Sequence, residues 1–174
     1  MTTGDDAILN QNVRVMPKNS IHILEMVFAV LLMPILLYSC DKGKVYDEYL
    51  PVPLDGWDRT DEILFEIPAL AEEGDYNVSV NLRINNEFPF KVLYLRVNEE
   101  VVSSGRYYSH LVAYPVYDDA GKPLGQGVNL YQSDQIAGKH HLEKGDSVCV
   151  HIKHEMRKEI IRGVVDVGVS ISRR

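Results

Sequence analysis

The sequence is poor in cysteine and in clustered basic residues. Only two cysteines occur in 174 residues, Cys40 and Cys149. If Cys40 is lipidated, Cys149 has no partner, which excludes an internal disulfide. The net charge is −7, and no basic run precedes the terminal Arg173-Arg174. We therefore expect no nucleic-acid partner, because phosphate binding depends on clustered Lys and Arg.

Motifs that carry enzymatic chemistry are missing as well. The sequence has no phosphate-binding glycine loop followed by a helix, no nucleophile elbow and no zinc-protease helix. His140 and His141 are adjacent, and His151 and His154 lie three apart in a predicted strand, so the rings of each pair point in different directions. The sequence thus predicts no catalytic residue, no metal site and no cofactor, and a protein that is not an enzyme.

Long apolar runs are absent, and the longest one, residues 26–37, is too short to cross a membrane as a helix. Such a helix takes about 20 residues, and Pro34 would interrupt it. The run leads into Leu37-Tyr38-Ser39-Cys40, which has the form of a bacterial lipobox: an apolar, a variable and a small residue before the cysteine. This pattern predicts a signal peptide over residues 1–39 and lipidation of Cys40.

Two alternatives to lipidation stay open: an ordinary signal peptide, or a short membrane anchor, with Cys40 incidental in either case. Physically, a lipid anchor suffices for membrane attachment, since each buried methylene contributes about 0.8 kcal/mol and one cysteine carries several acyl chains. The first residues are acidic, whereas signal peptides begin with positive charge. We therefore predict that translation starts at Met16, where Lys18 supplies that charge.

Residues 40–56 are charged and interrupted by proline, which predicts a tether behind the lipidated N-terminus. Residues 57–174 then offer enough chain for one domain with a core of its own. Residues 76–85 alternate strictly between apolar and small polar side chains, the pattern of a half-buried strand. Further strand patterns occupy residues 62–68, 90–97, 107–117, 148–156 and 165–171.

In the strand pattern at 90–97, the side chains that point to either face of the strand are apolar, which predicts burial on both faces. Pro115 predicts an edge position or a bulge for 107–117. Between residues 122 and 145 glycines break the pattern, and only 128–131 is a candidate strand. About seven strands without a helical period predict an all-β fold, an antiparallel β-sandwich of jelly-roll-like type.

The tyrosines of the predicted strands offer one functional alternative, which requires their rings to be exposed. Tyr and Trp rings stack on the apolar faces of sugars, so a surface carbohydrate-binding lipoprotein is a second hypothesis, with Tyr114 and Tyr131 as its platform. Burial of these rings in the core or in strand pairs is the competing interpretation.

An ordered set of short segments resembles the gliding-motility lipoprotein family GldH of the Bacteroidota. The resemblance covers nearly all of residues 37–174, with conservative departures at Phe88-Pro89-Phe90 and Val92-Leu93-Tyr94. The segments are Leu37-Tyr38-Ser39-Cys40-Asp41-Lys42, Val45-Tyr46-Asp47-Glu48-Tyr49, Trp57, residues 76–83, residues 118–127, His154-Glu155-Met156-Arg157 and residues 161–169.

The resemblance implies an envelope lipoprotein that is anchored by its N-terminal lipid, on the outer membrane, and works with protein partners as an accessory part of a motility or secretion assembly. It supplies no catalytic residues. Arg83, Met156 and Arg157 match the family pattern, and we expect them to have a partner-binding or a structural role.

Overall fold

The computed structural model describes residues 43–174, and these form one compact unit. The predicted signal peptide and Cys40 lie outside the described residues. The unit consists of strands β1 (Lys44–Pro51), β2 (Trp57–Asp58), β3 (Ile63–Ile67), β4 (Gly74–Asn85), β5 (Val92–Val101), β6 (Arg106–Pro115), β7 (Leu130–Leu142), β8 (Val148–His154), β9 (Ile160–Ile161) and β10 (Val164–Arg173). Within residues 43–174, no helix has the length and apolar character that crossing a membrane requires.

Eight strands form two four-stranded sheets, and every strand pair in them is antiparallel. The strand orders are β1-β10-β4-β7 and β3-β8-β5-β6, while β2 and β9 make a separate two-stranded pair. Consecutive long strands mostly lie in different sheets, which is the order of a jelly roll. The predicted all-β antiparallel sandwich is therefore confirmed.

The core lies between the sheets and follows the alternation of the sequence. In β4 all the alternating apolar side chains that the sequence pattern singled out are buried, because that face of the strand packs on the opposite sheet. In β10 the alternation is interrupted by a bulge between Val164 and Asp166, so Val164 is buried where the pattern favoured Val165. The buried residues of β4 are Tyr76, Val78, Val80, Leu82 and Ile84.

The domain begins earlier than the sequence indicated. Lys44–Pro51, within the tether predicted over residues 40–56, is strand β1 and pairs with β10 from Lys44↔Ser172 to Pro51↔Asp166. It is an edge strand with a charged outer face, which is why its sequence resembles a linker. Tyr46 and Leu50 pack against the core.

Strand β7 is the longest of the described strands, yet only its first two residues fall in the predicted 128–131 segment. As a sheet edge it has one exposed face, and its inward positions before Leu142 are mostly small or polar, so it lacks an apolar alternation. A register shift between Val78 and Ser79 of β4 leaves Ala137 unpaired in β7. This bulge and Gly138 hide the strand from pattern analysis.

Strand β5 is buried on one face only, so the prediction of burial on both faces is wrong. Leu93, Leu95 and Val97 are fully buried, whereas Tyr94 is 44% exposed. The next strand, β6, lies at the edge of its sheet, as Pro115 predicted.

Trp57 and His154 form a buried polar and aromatic contact in the core. Their rings meet edge to face with centroids 5.4 Å apart. His154 Nε2 donates to the Trp57 carbonyl at 3.0 Å, and its Nδ1 accepts from the Met156 N–H at 3.3 Å. This pattern fixes a neutral imidazole, and burial holds the pKa of His154 below its ordinary value of 6.5.

His154 should make the stability of the domain depend on pH. Its folded-state pKa is lower than its unfolded value, so its contribution is complete above pH 6.5 and is lost as the pH falls through the folded pKa. Below pH 6.5 the unfolded state alone takes up the proton, at a cost of up to about 1.4 kcal/mol per pH unit. Urea unfolding of wild type and His154→Gln at pH 7.5, 6.5 and 5.5 checks this, because carboxylates common to both proteins cancel. Parallel curves for the two proteins would rule out the assignment.

Candidate functional site

An apolar groove lies on the outer side of the second sheet, where β5 begins and β8 ends. It has a volume of about 630 Å³. Leu93 and Leu95 point into the core, so the alternation of β5 turns Tyr94 outward to form one wall. The lining residues are Phe90, Tyr94, Glu155, Met156, Arg157 and Lys158.

Met156 forms the floor of this groove. It is almost fully buried, and its Sδ accepts the backbone N–H of Tyr94 at 3.4 Å. The Glu155 N–H donates to the Tyr94 carbonyl at 2.7 Å, which continues the β5–β8 ladder beyond the end of β8. A polarisable thioether beside an exposed aromatic ring is the composition of an adaptable protein-binding surface.

Two cations flank the groove without internal partners. Arg157 and Lys158 are exposed, and neither side chain makes an ion pair or hydrogen bond with another residue in the range 43–174. Glu155, in contrast, is engaged by Arg96 at 2.9 Å, and this hydrogen bond holds the pKa of Glu155 below its usual range. The groove thus offers apolar contact beside positive charge that is free to meet an acidic group.

Arg83 has a different environment, in the first sheet. Its guanidinium lies 4.0 Å from the centroid of the Tyr49 ring, in cation–π geometry. It also donates to Gln132 at 3.2 Å and faces Asp166 at 3.5 Å. These partners belong to β1, β7 and β10, so one side chain joins the outer face of all four strands. Of the three residues with a predicted partner-binding or structural role, the structure brings Met156 and Arg157 together and places Arg83 elsewhere.

The two tyrosines of the predicted sugar platform do not form an exposed pair. Tyr114 is 2% exposed, because it occupies the inward parity of β6, and its hydroxyl donates to Ser133 at 3.0 Å. Burial also raises its pKa. Tyr131 is half-buried and donates to the Val128 carbonyl at 2.6 Å. Tyr114 thus presents no ring face on which a sugar could stack.

The histidines separate as the sequence analysis predicts. His141 points outward to Asp75 and Glu73, at 3.0 and 3.4 Å, while His140 points into the sandwich. His151 is paired with Glu62 at 3.2 Å, and His154 lies in the core. Among residues 43–174, a group of metal-ligand type arises where Glu99 and His110 of one sheet meet His140 of the other.

Comparison with known proteins assigns the family. The profile described as GldH lipoprotein matches residues 44–171. A gliding motility lipoprotein GldH of Flavobacterium johnsoniae is 33% identical over 152 residues, which cover 83% of this chain and 94% of that protein. The chain belongs to the GldH lipoprotein family. A GldH homolog of Christiangramia forsetii is 28% identical over 156 residues, or 84% of this chain and 94% of that protein.

Likeness to solved structures is weak. A family GH115 4-O-methyl-α-glucuronidase matches with a TM-score of 0.43 and 14% identity, over 78% of this chain and 18% of that one. A family 35 carbohydrate-binding module of Clostridium thermocellum matches with a TM-score of 0.36 and 10% identity, over 72% and 89%. At such scores neither likeness carries an argument about function.

Membership of the GldH family makes this chain a lipoprotein of the motility-related type, associated with a membrane of the cell envelope. GldH is a lipoprotein family and not a known enzyme family.

Phe90 and Tyr94 of the groove were missed as site residues from sequence. The signal was present in Tyr94, an aromatic residue on the opposite parity to Leu93 and Leu95, but the neighbouring apolar residues favoured burial on both faces.

Proposed function

We propose that this GldH-family chain is a non-enzymatic lipoprotein, held through acylated Cys40 in the outer membrane, that serves as an accessory part of a motility or secretion assembly. The similarity to a gliding motility lipoprotein along 94% of that relative's length carries the proposal. The predicted lipobox supplies the anchor, and residues 1–39 are its signal peptide.

The groove is the surface through which the domain binds its partner in this proposal. Its apolar floor and Tyr94 wall provide area to bury, and Arg157 and Lys158 provide charge for an acidic segment. Buried aromatic anchors dominate the energy of protein interfaces, whereas exposed charges mainly affect orientation and the rate of association. The occupant is thus an envelope protein segment that combines an apolar residue with acidic neighbours.

Tyr94→Asp should abolish partner binding, because it removes the aromatic wall and places a carboxylate beside the apolar floor. Loss of such an anchor typically costs at least about 2 kcal/mol, or roughly thirtyfold in affinity. The measurement is quantitative mass spectrometry of proteins that co-purify with the full-length lipoprotein in mild detergent.

Tyr107→Asp is the matched control, because Tyr107 is also an exposed tyrosine on a strand, 60% accessible, but lies outside the groove. The envelope proteins recovered with wild type should be recovered equally with Tyr107→Asp and be depleted with Tyr94→Asp. Recovery of the lipoprotein alone, or equal recovery with both variants, would count against the groove as the binding surface.

A further inference from the structure

Three strands bring two imidazoles and a carboxylate to one place inside the sandwich. Glu99 occupies the inward parity of β5, in line with the buried Leu95, Val97 and Val101. His110 comes from β6, and His140 comes from β7 in the opposite sheet. One ligand atom from each of Glu99, His110 and His140 lies within 4.8 Å of the other two.

The group is largely buried, and its hydrogen bonding is incomplete. Glu99 is 0% exposed, and the side chain of His140 is 6% exposed. Glu99 Oε2 contacts His140 Nε2, but Glu99 Oε1 and His110 Nε2 are buried with no hydrogen-bond partner among residues 43–174. A buried polar atom without a partner costs about 1–3 kcal/mol, and more when it is charged. A cation held between these atoms would satisfy both of them.

Gly138 leaves the space in which such a cation would lie. A Cβ at this position would lie 2.6 Å from both carboxylate oxygens of Glu99 and 2.6 Å from His140 Nε2. The backbone at Gly138 does not have a positive φ, so glycine serves here to leave room. The bulge at Ala137 is immediately adjacent, and bulges often re-aim side chains beside functional sites. The His140 ring also packs against the Tyr108 ring, with the two ring centroids 4.3 Å apart.

We propose that Glu99, His110 and His140 bind one Zn²⁺ ion between the two sheets. Two imidazole nitrogens and one carboxylate oxygen form a donor set typical of zinc, and imidazole ligands disfavour Mg²⁺ and Ca²⁺. With three protein ligands, water completes the tetrahedron. The ion ties β5 and β6 of one sheet to β7 of the other. This departs from the expectation of no metal site, because His140 lies 41 positions from Glu99 and comes from the opposite sheet.

Zinc binding is tested on the full-length lipoprotein in detergent, purified through a histidine-free tag and stripped with a chelator. Calorimetric titration with Zn²⁺ alone should give one site per chain, and Zn²⁺ should raise the melting temperature of the stripped protein. Co²⁺ as a probe should give the intense visible bands of a four-coordinate site. His110→Gln and Glu99→Gln should each weaken Zn²⁺ binding by at least about tenfold.

His141→Gln is the matched control, since His141 neighbours His140 in β7 but pairs with Asp75 on the outer face. It should bind Zn²⁺ like wild type. Circular dichroism shows whether each variant folds. If Glu99→Gln does not fold, His110→Gln decides, because His110 Nε2 has no hydrogen-bond partner among residues 43–174 that the change would remove. Absence of Zn²⁺ uptake by wild type, or equal uptake by His110→Gln and His141→Gln, would overturn the site.

Discussion

The Cys40→Ala variant should lose its acyl chains and move from the membrane fraction to the soluble fraction. The lipobox cysteine is the only acceptor for lipid in this proposal, and each methylene that leaves the bilayer removes about 0.8 kcal/mol of anchoring. Loss of several chains thus turns stable attachment into release. Metabolic labelling with a clickable fatty acid, followed by fractionation, measures both effects in one experiment.

Cys149→Ala is the control for Cys40→Ala, because it removes the other cysteine of the chain. Cys149 is a half-buried residue of β8, and burial raises the pKa of its thiol, which makes it a poor nucleophile. This variant should keep both the label and the membrane location. A labelled Cys40→Ala protein would refute the lipobox, and an unlabelled one that stays in membranes would assign the anchor to residues 26–37.

Gly163→Ala should destabilise the domain by about 3 kcal/mol or prevent folding, because two costs add. Gly163 has a φ of +88°, which residues with a Cβ rarely adopt, and a Cβ there would lie 2.1 Å from the backbone nitrogen of Phe88. The backbone of the β4–β5 turn cannot give way easily, since Asn85 N–H donates to the Gly163 carbonyl at 2.8 Å. The Phe88 ring packs edge to face on the ring of Phe90, a lining residue of the groove, with the ring centroids 5.7 Å apart. The packing of Gly163 on Phe88 therefore also supports the groove.

Gly145→Ala separates the two costs in Gly163→Ala. Gly145 has nearly the same φ, +92°, but a Cβ there would have no atom within 4 Å. We expect only the conformational cost, about 1 kcal/mol, in urea unfolding monitored by the fluorescence of the single tryptophan, Trp57. Equal destabilisation by the two substitutions would show that the close packing of Gly163 on Phe88 contributes nothing.

The fold class could be predicted from sequence because the central strands carry their burial pattern in their own residues. Strand β4 shows five apolar side chains in alternation, and all five are buried. The two edge strands of the first sheet, β1 and β7, were harder to predict, because a strand with one neighbour and an exposed face needs few apolar residues. Strand β1 therefore resembles a tether, and β7 resembles part of a loop segment that glycines interrupt.

The candidate sites depend on register and on pairing between distant strands, which periodicity alone does not reveal. Met156 and Arg157 could be singled out from sequence, but their neighbour Tyr94 comes from another strand and contacts Met156 through its backbone N–H. Likewise, Glu99 and His140 are separated by 41 positions and meet only because the sandwich brings β5 and β7 together. A search for local ligand spacing could not find such a pair.

Deletion of the gene, followed by parallel assays of motility, protein secretion and growth on polysaccharide, tests the proposed function most directly. We predict that the deletion strain loses motility or secretion, and that wild type and Tyr107→Asp restore it whereas Cys40→Ala and Tyr94→Asp do not. A deletion strain that moves and secretes like its parent, or whose only defect is in polysaccharide use, would contradict an accessory role in a motility or secretion assembly.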